Sequence, residues 1–316
     1  MYLVTGGAGF IGSNIVRRLS AEGKKVRVFD DFSTGKRDNL AGLDEVEVVE
    51  GSLTDIAAVR QALESVNFVL HQGAIPSVPR SIDDPIKSNE VNITGTLNLL
   101  VAAKDAGVKR VVYAASSSAY GDTEALTKVE TMPGDPLSPY GVGKYTGELY
   151  ARVFANIYSL ETVSLRYFNI FGPRQDPASE YAAVMPKFIL AMLDGKAPVI
   201  YGDGEQTRDF TYIDNAVEAN LLSCKSDKVG RGEVINIACG ERYSLNQLVE
   251  ALNDVLGTSI KPVYSDPKPG DVKHSLADIE QAKALLGYQV KVDFKEGLER
   301  TVEWFREHPI LGSGRY

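Results

Sequence analysis

The sequence is poor in the residues that bind metals and form disulfides. It has two cysteines and three histidines among 316 residues, and neither Cys224 nor Cys239 stands in a Cys-x-x-Cys motif. His71, His274 and His308 are far apart and lack the spacing of a metal site. We therefore expect no metal, and we expect buried thiols in a cytoplasmic, reducing environment.

Long apolar runs and an excess of positive charge are also missing. No stretch reaches the roughly 18 apolar residues that a membrane-spanning helix needs. The chain carries 34 Lys and Arg against 42 Asp and Glu, a net charge of −8 without a basic stripe, which disfavours nucleic acid as a partner. The amino-terminal MYLVTGG starts directly on a strand pattern, so no secretion signal is expected.

The first half of the sequence alternates apolar strand patterns with amphipathic helix patterns. This alternation predicts an α/β fold, a Rossmann doubly wound parallel sheet with helices on both faces. We assign the NAD-binding Rossmann domain to residues 1–169 and a smaller C-terminal substrate-binding domain to residues 170–316, where Pro, Gly and Asp interrupt shorter elements. The strand-like segment 233–240 is expected to pair back with the main sheet. Two long helices are expected, near residues 86–106 and 139–158.

A glycine-rich turn, within YLVTGGAGFIGSN, joins the first strand to the first helix. Gly6, Gly9 and Gly12 let backbone N–H groups approach a pyrophosphate at a helix amino terminus, where the partial positive charge favours an anion. Asp30 ends the second strand, where its carboxylate can accept hydrogen bonds from both ribose hydroxyls and would repel a 2′-phosphate. The sequence therefore predicts NAD as the cofactor, in preference to NADP.

Tyr140 and Lys144 stand one helical turn apart in SPYGVGK, so their side chains share one face of a helix that starts at Pro139. A free phenol titrates near about 10, and a nearby ammonium favours its ionised form. We expect Lys144, together with the positive nicotinamide of oxidised NAD, to lower the pKa of Tyr140, which then acts as a general base near neutral pH. Ser116 follows the apolar strand RVVYAA at the carboxyl edge of the sheet, where its hydroxyl can donate to a substrate oxygen and relay a proton.

Together these segments resemble the extended short-chain dehydrogenase/reductase family, and within it the nucleotide-sugar 4-epimerases. The likeness covers nearly the whole chain, through TGGAGFIG, VNITGTLNLL, ASSSAYGD, SPYGVGK, LRYFNIFGPRQDP, YGDGEQTRDFTYI and GDVKHSLADI. The combination of SVPRSIDDP, AASSSAYGD and HSLADI is similar to UDP-N-acetylglucosamine 4-epimerases in particular. The resemblance places the family's catalytic triad at Ser116, Tyr140 and Lys144.

The resemblance implies further cofactor contacts, at Phe10, Ile11, Asp31, Lys36, Leu53, Gln72, Ala74 and Asn92. One position departs from the family pattern, because Ser52 stands where these enzymes commonly carry an Asp for the adenine amino group. A serine hydroxyl still accepts a hydrogen bond, although it carries no charge. We therefore expect slightly weaker adenine binding and the same cofactor.

For the nucleotide sugar, the resemblance implies contacts from Ser117, Ser118, Asn169, Arg208, Lys268, Asp271 and Ser275. The planar fork of Arg208 suits a diphosphate, and a structural ion pair with Asp209 or Asp214 is the alternative for this residue. Lys268 stands where the family usually has a second Arg. Ser275 falls at the position that gates pocket size, and its small side chain leaves room for an N-acetyl group on carbon 2.

The resemblance implies reversible epimerisation at carbon 4 of a UDP-hexose through a transient 4-keto sugar, with NAD retained, in a homodimer formed through the two long helices. UDP-N-acetylglucosamine and UDP-N-acetylgalactosamine are the expected substrates, with possible activity on UDP-glucose and UDP-galactose. A UDP-uronate or UDP-pentose 4-epimerase is the alternative. A 4,6-dehydratase would need acidic residues where Ser117 and Ser118 stand. A non-catalytic NAD-binding scaffold is a more distant alternative, since such a protein need not keep Tyr140 and Lys144.

Overall fold

The computed structural model describes four stretches of the chain, residues 1–123, 125–177, 183–267 and 273–308. The strands are β1 Tyr2–Thr5, β2 Val26–Asp30, β3 Glu47–Glu50, β4 Phe68–His71, β5 Arg110–Ser116, β6 Thr127–Lys128, β7 Glu161–Tyr167, β8 Ile170–Phe171, β9 Val199–Tyr201, β10 Thr207–Arg208, β11 Thr211–Tyr212, β12 Arg231–Ile237, β13 Tyr243–Ser244, β14 Val263–Ser265 and β15 Leu276–Ala277.

The helices run in the same order along the chain. They are α1 Phe10–Ala21, α2 Ile56–Ala62, α3 Val78–Asp83, α4 Pro85–Asn89, α5 Gly95–Asp105, α6 Pro139–Tyr158, α7 Val184–Leu193, α8 Ile213–Lys225, α9 Leu245–Leu256, α10 Glu280–Leu286 and α11 Phe294–Glu307. Shorter helical turns lie at Arg37–Leu40, Glu90–Thr94 and Ser117–Tyr120. In the described ranges, none of the helices is long and apolar enough to cross a membrane.

Within the described residues, a parallel sheet joins seven strands in the order β12-β7-β5-β4-β1-β2-β3. The chain starts in the middle of this sheet, runs outward through β2 and β3, and then crosses back to β4 beside β1. Strand order therefore reverses between β1 and β4, and in open α/β sheets such a reversal opens a ligand crevice at the carboxyl ends of the strands. The prediction of an α/β, doubly wound Rossmann sheet is confirmed.

Helices cover both faces of the sheet because its central strands are apolar on both sides. On β5, the neighbouring residues Val111 and Val112 are both fully buried, and they belong to apolar clusters on opposite faces. Val112 shares its cluster with Ile15 of α1, whereas Val111 shares its cluster with Leu99 of α5. Since each fully buried aliphatic side chain contributes about 1.5–3 kcal/mol, two-sided burial is a main source of the sheet's stability.

The second half of the chain also contributes to the main sheet. β12 pairs in parallel with β7, with Asn236 opposite Arg166, so residues 233–237 of the segment 233–240, which the sequence predicts to return, do join the sheet. The other strands of this half form two-stranded pairs, β8 with β11, β9 with β14, β10 with β13, and β15 with β6. The division of the chain into two domains at residue 169 stays a prediction.

The long helix predicted near residues 86–106 is divided in the structure. α4 covers Pro85–Asn89, a π-helical turn covers Glu90–Thr94, and α5 covers Gly95–Asp105. Single π-helical turns inside helices are frequent at functional sites. Here the wide turn holds Asn92, whose side chain is buried against the wall of the cavity described below.

Candidate active site

A cavity of about 980 Å³ lies at the carboxyl ends of the central strands. Its lining brings together most of the predicted cofactor residues, namely Gly6, Gly9, Phe10, Ile11, Gly12, Asp30, Asp31, Lys36, Leu53, Gln72, Ala74, Tyr140 and Lys144. The lining comes from the ends of several strands and from α1 and α6. The crevice that the sheet topology creates is therefore also where the glycine turn and the Tyr–Lys pair meet.

The glycine turn at the start of α1 allows no side chain at its narrowest points. Gly6 has a φ of 63°, in the left-handed region that favours glycine. A Cβ on Gly12 would lie 2.1 Å from the carbonyl oxygen of Gly6, closer than any real contact. The residue before the helix, Gly9, has no side chain to cap the first backbone N–H groups of α1. These N–H groups and the helix dipole suit an anion such as a pyrophosphate.

Asp30 is fixed at the end of β2 by backbone hydrogen bonds. Its two carboxylate oxygens accept from the N–H of Ala8 at 2.9 Å and from the N–H of Phe32 at 2.8 Å. Burial raises the pKa of Asp30, and these two hydrogen bonds oppose the rise. Each carboxylate oxygen keeps a further lone pair, so the group fits two ribose hydroxyls. Asp31 accepts from the hydroxyl of Ser33 at 2.6 Å and is more exposed.

A loop from the second half of the chain meets the cofactor side of the cavity. Lys36 Nζ lies 2.9 Å from Asp176 Oδ2, and both residues line the cavity. On the helix α1 side, Arg174 donates to Asn14 Oδ1 at 3.1 Å, and Asn14 donates to the carbonyl of Pro173 at 3.2 Å. The loop after β8 is thus bound to two parts of the first half.

Two predicted cofactor residues are not among the described residues that line the cavity. The hydroxyl of Ser52 lies 2.9 Å from that of Thr54, within the loop after β3. Asn92 acts on the cavity wall, because its side chain accepts from the N–H of Ile75 at 2.8 Å and donates to the carbonyl of Ile75 at 3.0 Å. Asn92 therefore holds the main chain of Ile75, which does line the cavity. Direct contact of Ser52 and Asn92 with a cofactor stays a prediction.

Ser116, Tyr140 and Lys144 form one cluster at the end of β5. Pro139 occupies the first turn of α6, where it is favoured, and Ser138 caps this helix. The Ser116 side chain lies close enough to the Tyr140 phenol to oppose the rise of its pKa. Lys144 Nζ donates to the carbonyl of Ala114 at 2.8 Å and lies 6.0 Å from the centre of the Tyr140 ring.

The serines after Ser116 continue this cluster in a short 3₁₀ turn, Ser117–Tyr120. Ser118 donates through its hydroxyl to Ser116 Oγ at 2.8 Å and through its backbone N–H at 3.2 Å. Ser117 and Ser118 are only partly buried, so both can be reached by a sugar. Sugar contacts from these two residues stay a prediction.

Burial decides the protonation of the pair on α6. It raises the pKa of Tyr140, partly offset by the nearby Ser116 side chain, and it lowers the pKa of Lys144 to about 8. The prediction that Lys144 and the positive nicotinamide of NAD together lower the pKa of Tyr140 stays a prediction, because burial sets the direction only among the protein groups. NAD, when bound, accepts a hydride at a nicotinamide ring whose positive charge would favour the ionised phenol.

Two polar residues missed by the sequence argument hold Gln72 in the cavity wall. Asn220 donates to the hydroxyl of Tyr167 at 2.7 Å, and Tyr167 donates to Gln72 Oε1 at 3.3 Å. Gln72 Nε2 donates in turn to Asn220 Oδ1 at 3.1 Å, which closes a ring of three side chains. Burial raises the pKa of Tyr167 to about 12, so this hydroxyl stays protonated as a donor.

At the substrate end, Asn169 and Arg208 lie on neighbouring segments. Asn169 has a φ of 37° and donates through its side chain to the carbonyl of Asp209 at 3.2 Å. Arg208 donates to the carbonyl of Thr207 at 2.9 Å. Of its two alternative ion-pair partners, Asp214 lies 3.3 Å from Arg300 and Asp209 accepts from backbone N–H groups. Lys268 and Asp271 lie outside the described residues.

Asp209 is a further residue that the sequence argument missed. Its carboxylate accepts from the backbone N–H groups of Cys239, Gly240 and Ala277, at 3.0, 3.1 and 3.2 Å. Burial raises its pKa to about 7, and these hydrogen bonds oppose the rise. Since Ala277 follows Ser275 by two residues, Asp209 ties the segment of Ser275 to the strand of Arg208. Ser275 is buried, at 9% exposure, and its N–H donates to the carbonyl of Thr207 at 3.1 Å.

A cavity suited to a dinucleotide beside a Ser–Tyr–Lys cluster is typical of enzymes that oxidise alcohols to carbonyl groups and reduce them back. In the part of the chain that the structure describes, no group of three or more His, Cys, Asp or Glu side chains could hold a metal ion. The chain belongs to the NAD dependent epimerase/dehydratase family, which matches residues 2–238.

Solved structures and curated relatives are similar over almost the full length. The UDP-N-acetylglucosamine 4-epimerase of Methanobrevibacter ruminantium M1, solved with UDP-N-acetylmuramic acid, is 42% identical with a TM-score of 0.92 and covers 97% of this chain and 98% of its own. The UDP-glucose 4-epimerase of Thermotoga maritima, solved with UDP-glucose, is 40% identical with a TM-score of 0.92, at 97% and 99% coverage. The UDP-glucose 4-epimerase of Mycolicibacterium smegmatis is 38% identical, over 96% of this chain and 98% of that relative.

Proposed function

We propose that this NAD-dependent UDP-sugar 4-epimerase interconverts UDP-N-acetylglucosamine and UDP-N-acetylgalactosamine. The observation that carries the proposal is the position of Tyr140. It lies on the wall of the same cavity as the glycine turn and Asp30, one helical turn from Lys144 and beside Ser116. A base is thus held next to a site built for a dinucleotide, as a reversible oxidation of a sugar carbon requires.

Each residue of the cluster has its own part in the reaction. Tyr140 takes the proton from the hydroxyl on carbon 4 of the sugar. It returns the proton once the 4-keto sugar has turned its opposite face toward the cofactor site. Ser116 relays this proton through its hydroxyl, which lies beside the Tyr140 phenol. Lys144, held by the carbonyl of Ala114, orients the cofactor ribose and adds positive charge beside the phenol. Because the cofactor ends each cycle in its starting state, it is expected to stay bound.

The preference for acetylated sugars rests on Ser275 and on the similarity to a UDP-N-acetylglucosamine 4-epimerase. Ser275 is buried, and the backbone hydrogen bond to Thr207 fixes its position next to Arg208. A side chain of this size leaves space for an N-acetyl group on carbon 2. UDP-glucose and UDP-galactose fit the same space, so some activity on these sugars is expected.

We also propose that the enzyme is a homodimer formed through α4, α5 and α6. Apolar side chains on the outer surface of these helices are exposed, including Ile86 at 73%, Val153 at 43% and Ile157 at 69%. Val142, Val153 and Ile157 recur on α6 at intervals of eleven and four residues, which places them along one stripe. Light scattering after gel filtration gives the mass in solution, and a monomer at micromolar concentration contradicts this proposal.

The function is tested by incubating the purified enzyme with UDP-N-acetylglucosamine and separating the products by chromatography. The proposal predicts UDP-N-acetylgalactosamine without added NAD. A parallel panel of UDP-glucose, UDP-glucuronate and UDP-xylose ranks the substrates. Turnover of UDP-glucuronate alone would identify a uronate 4-epimerase. No turnover of any sugar in the panel would favour the non-catalytic NAD-binding scaffold.

A further inference from the structure

A buried carboxylate lies directly below the catalytic pair on α6. Tyr140, Lys144 and Glu148 follow one another at four-residue intervals, so their side chains lie on the same face of the helix. Lys144 is 4% exposed and Glu148 is 2% exposed. The backbone positions of this buried lysine and this buried glutamate therefore stand one helical turn, roughly 6 Å, apart along the helix.

Glu148 is held by a guanidinium fork from the neighbouring strand β7. Arg166 Nε donates to Glu148 Oε1 at 2.9 Å, and Arg166 Nη2 donates to Glu148 Oε2 at 2.7 Å. The side chains are 3% and 2% exposed, so water does not compete for this pair. Such a two-point contact fixes the direction of the carboxylate as well as its distance.

The same guanidinium reaches the turn that carries the catalytic serines. Arg166 Cζ lies 4.4 Å from the centre of the Tyr120 ring, and Tyr120 ends the 3₁₀ turn that follows Ser116. The Tyr120 hydroxyl donates to Asn236 Oδ1 on β12 at 2.7 Å. The Glu148–Arg166 pair thus connects α6, β7 and the serine turn beneath the reacting groups.

The electrostatic surroundings of the Lys144 ammonium contain one fixed negative charge. The titratable groups around it include His71 on β4, Tyr113 on β5, Tyr140 and Glu148 on α6, and Tyr167 on β7, which lines the same cavity, while Arg166 on β7 pairs with Glu148. Burial keeps His71 neutral, and the three tyrosines are protonated in the cofactor-free protein. Glu148 opposes the effect of burial on Lys144. Without this carboxylate, the ammonium would lose the negative charge that opposes the effect of its burial.

We propose that Glu148, oriented by Arg166, is a positioning residue that keeps Lys144 protonated and in place for the epimerisation. The inference rests on the proposed function, because it concerns the protonation of the residue that supports Tyr140. Glu148 does not line the cavity of the glycine turn and Tyr140; it lines a separate cavity of about 270 Å³, together with Arg152 and Arg166. Glu148 therefore acts on the chemistry indirectly, and its charge does so through Lys144.

The test follows the ionisation of Lys144 in Glu148→Gln. Glutamine keeps the shape and an acceptor for Arg166, yet it removes the charge. The Lys144 amine is titrated by NMR with ¹⁵N-labelled lysine, with a Lys144→Met sample for assignment. We expect the Lys144 pKa to fall by about one unit, and the alkaline limb of the kcat/KM profile to move down with it. The acidic limb, governed by Tyr140, is expected to move in the same direction by less, since Tyr140 is one turn further away.

Two further variants separate electrostatics from packing. Glu161→Gln is the matched control, since Glu161 pairs with Arg110 at the opposite end of the same sheet, at 2.7 Å, and its removal should leave Lys144 unchanged. The double variant E148Q/R166M removes both charges, so it should be more stable than Glu148→Gln alone. The pKa of Lys144 in the double variant should lie between its values in Glu148→Gln and in the wild type. If Glu148→Gln alone does not fold, the double variant is compared with Glu161→Gln.

The outcomes are distinct. An unchanged Lys144 titration in the folded Glu148→Gln or double variant overturns the inference, and so does a drop in activity that is equal at every pH. A wild type that is inert toward every UDP-sugar refutes the proposed function instead. The NMR titration needs no substrate and still decides whether Glu148 controls the ionisation of Lys144.

Discussion

Lys144 Nζ donates to the carbonyl oxygen of Ala114 at 2.8 Å, two residues before Ser116 on β5. This hydrogen bond fixes the ammonium of α6 to the strand whose end carries the catalytic serine. Because the lysine stem is buried, the ammonium has few alternative positions. The Tyr–Lys pair is therefore a rigid part of the fold, and its chemistry can be tested by single substitutions.

Tyr140→Phe removes the proton acceptor without changing the shape of the cavity wall. We expect kcat to fall by about 10²–10⁴-fold, the range typical of losing a general base. The NAD content of the purified protein, measured by absorbance after denaturation, should stay at the wild-type value. Tyr145→Phe is the matched control, since Tyr145 lies in the same helix but lines the smaller cavity. Substantial turnover by Tyr140→Phe would show that another group is the base.

Gly12→Ala places a Cβ where the carbonyl of Gly6 stands, at 2.1 Å. Since this contact is with backbone, the turn has to move, at a typical cost of about 1–3 kcal/mol. We expect the retained NAD to drop by about 10-fold or more, because about 1.4 kcal/mol corresponds to a factor of ten. Gly9→Ala is the graded comparison, since its Cβ would meet Gly6 at 3.2 Å. Equal NAD contents in the two variants would contradict the role of the tight turn.

The burial of His71 predicts that the free energy of unfolding falls in acid. It is buried between Thr5 and Thr96, at 2.7 and 3.0 Å, and burial lowers its pKa to about 3. In the unfolded chain histidine takes up its proton near about 6.5, so between these values the unfolded state binds more protons. Stability is therefore lost as the pH falls from 6.5 toward 3, by up to about 1.4 kcal/mol for each pH unit.

Urea unfolding of the wild type and of His71→Gln at several pH values between 7.5 and 4.5 measures this contribution. The free energy of unfolding of the wild type should fall more steeply with acid than that of the variant, and the difference isolates His71 from the carboxylates. Parallel curves for the two proteins would mean that His71 is charged in the folded state or exposed to water.

Ser275→Tyr tests the selectivity of the pocket. A bulky side chain at this buried position should remove the space for an N-acetyl group, so that turnover of UDP-N-acetylglucosamine falls by about 100-fold while UDP-glucose is affected much less. Ser275→Ala, which stays small, should keep activity on both sugars. A loss of activity on both sugars in the tyrosine variant, with normal folding, would place Ser275 elsewhere than beside carbon 2.

Sequence reasoning succeeds here where the signal is local. The glycine turn and the Tyr140–Lys144 spacing can be predicted from a few adjacent residues, because a strand, a tight turn and one turn of a helix each span only a few residues. The alternation of strands and helices likewise gives the doubly wound sheet. The π-helical turn at Glu90–Thr94 is different, because α4 before it has five residues, too few to reveal the change of phase that an extra residue makes in the apolar pattern.

The residues that sequence reasoning missed act across large separations in the chain. Asn220 reaches Tyr167 and Gln72, and Asp209 reaches Gly240 and Ala277, only once the sheet has formed. The ionisation of Tyr140 is also a property of the folded state, because desolvation depends on neighbours that no spacing reveals. In the sequence, such a hydrogen-bond network is indicated only by a polar residue within an apolar strand pattern, such as the tyrosine that ends β7.

The position of β12 at the edge of the main sheet has a consequence for biosynthesis. β12 can pair with β7 only after the ribosome has translated residue 237, although the cofactor turn and Tyr140 are synthesised long before. Until then the nascent polypeptide presents an open strand edge, which invites pairing with another chain. A message cut before the codon for Arg231 would thus encode Ser116, Tyr140 and Lys144 and still yield an aggregation-prone product.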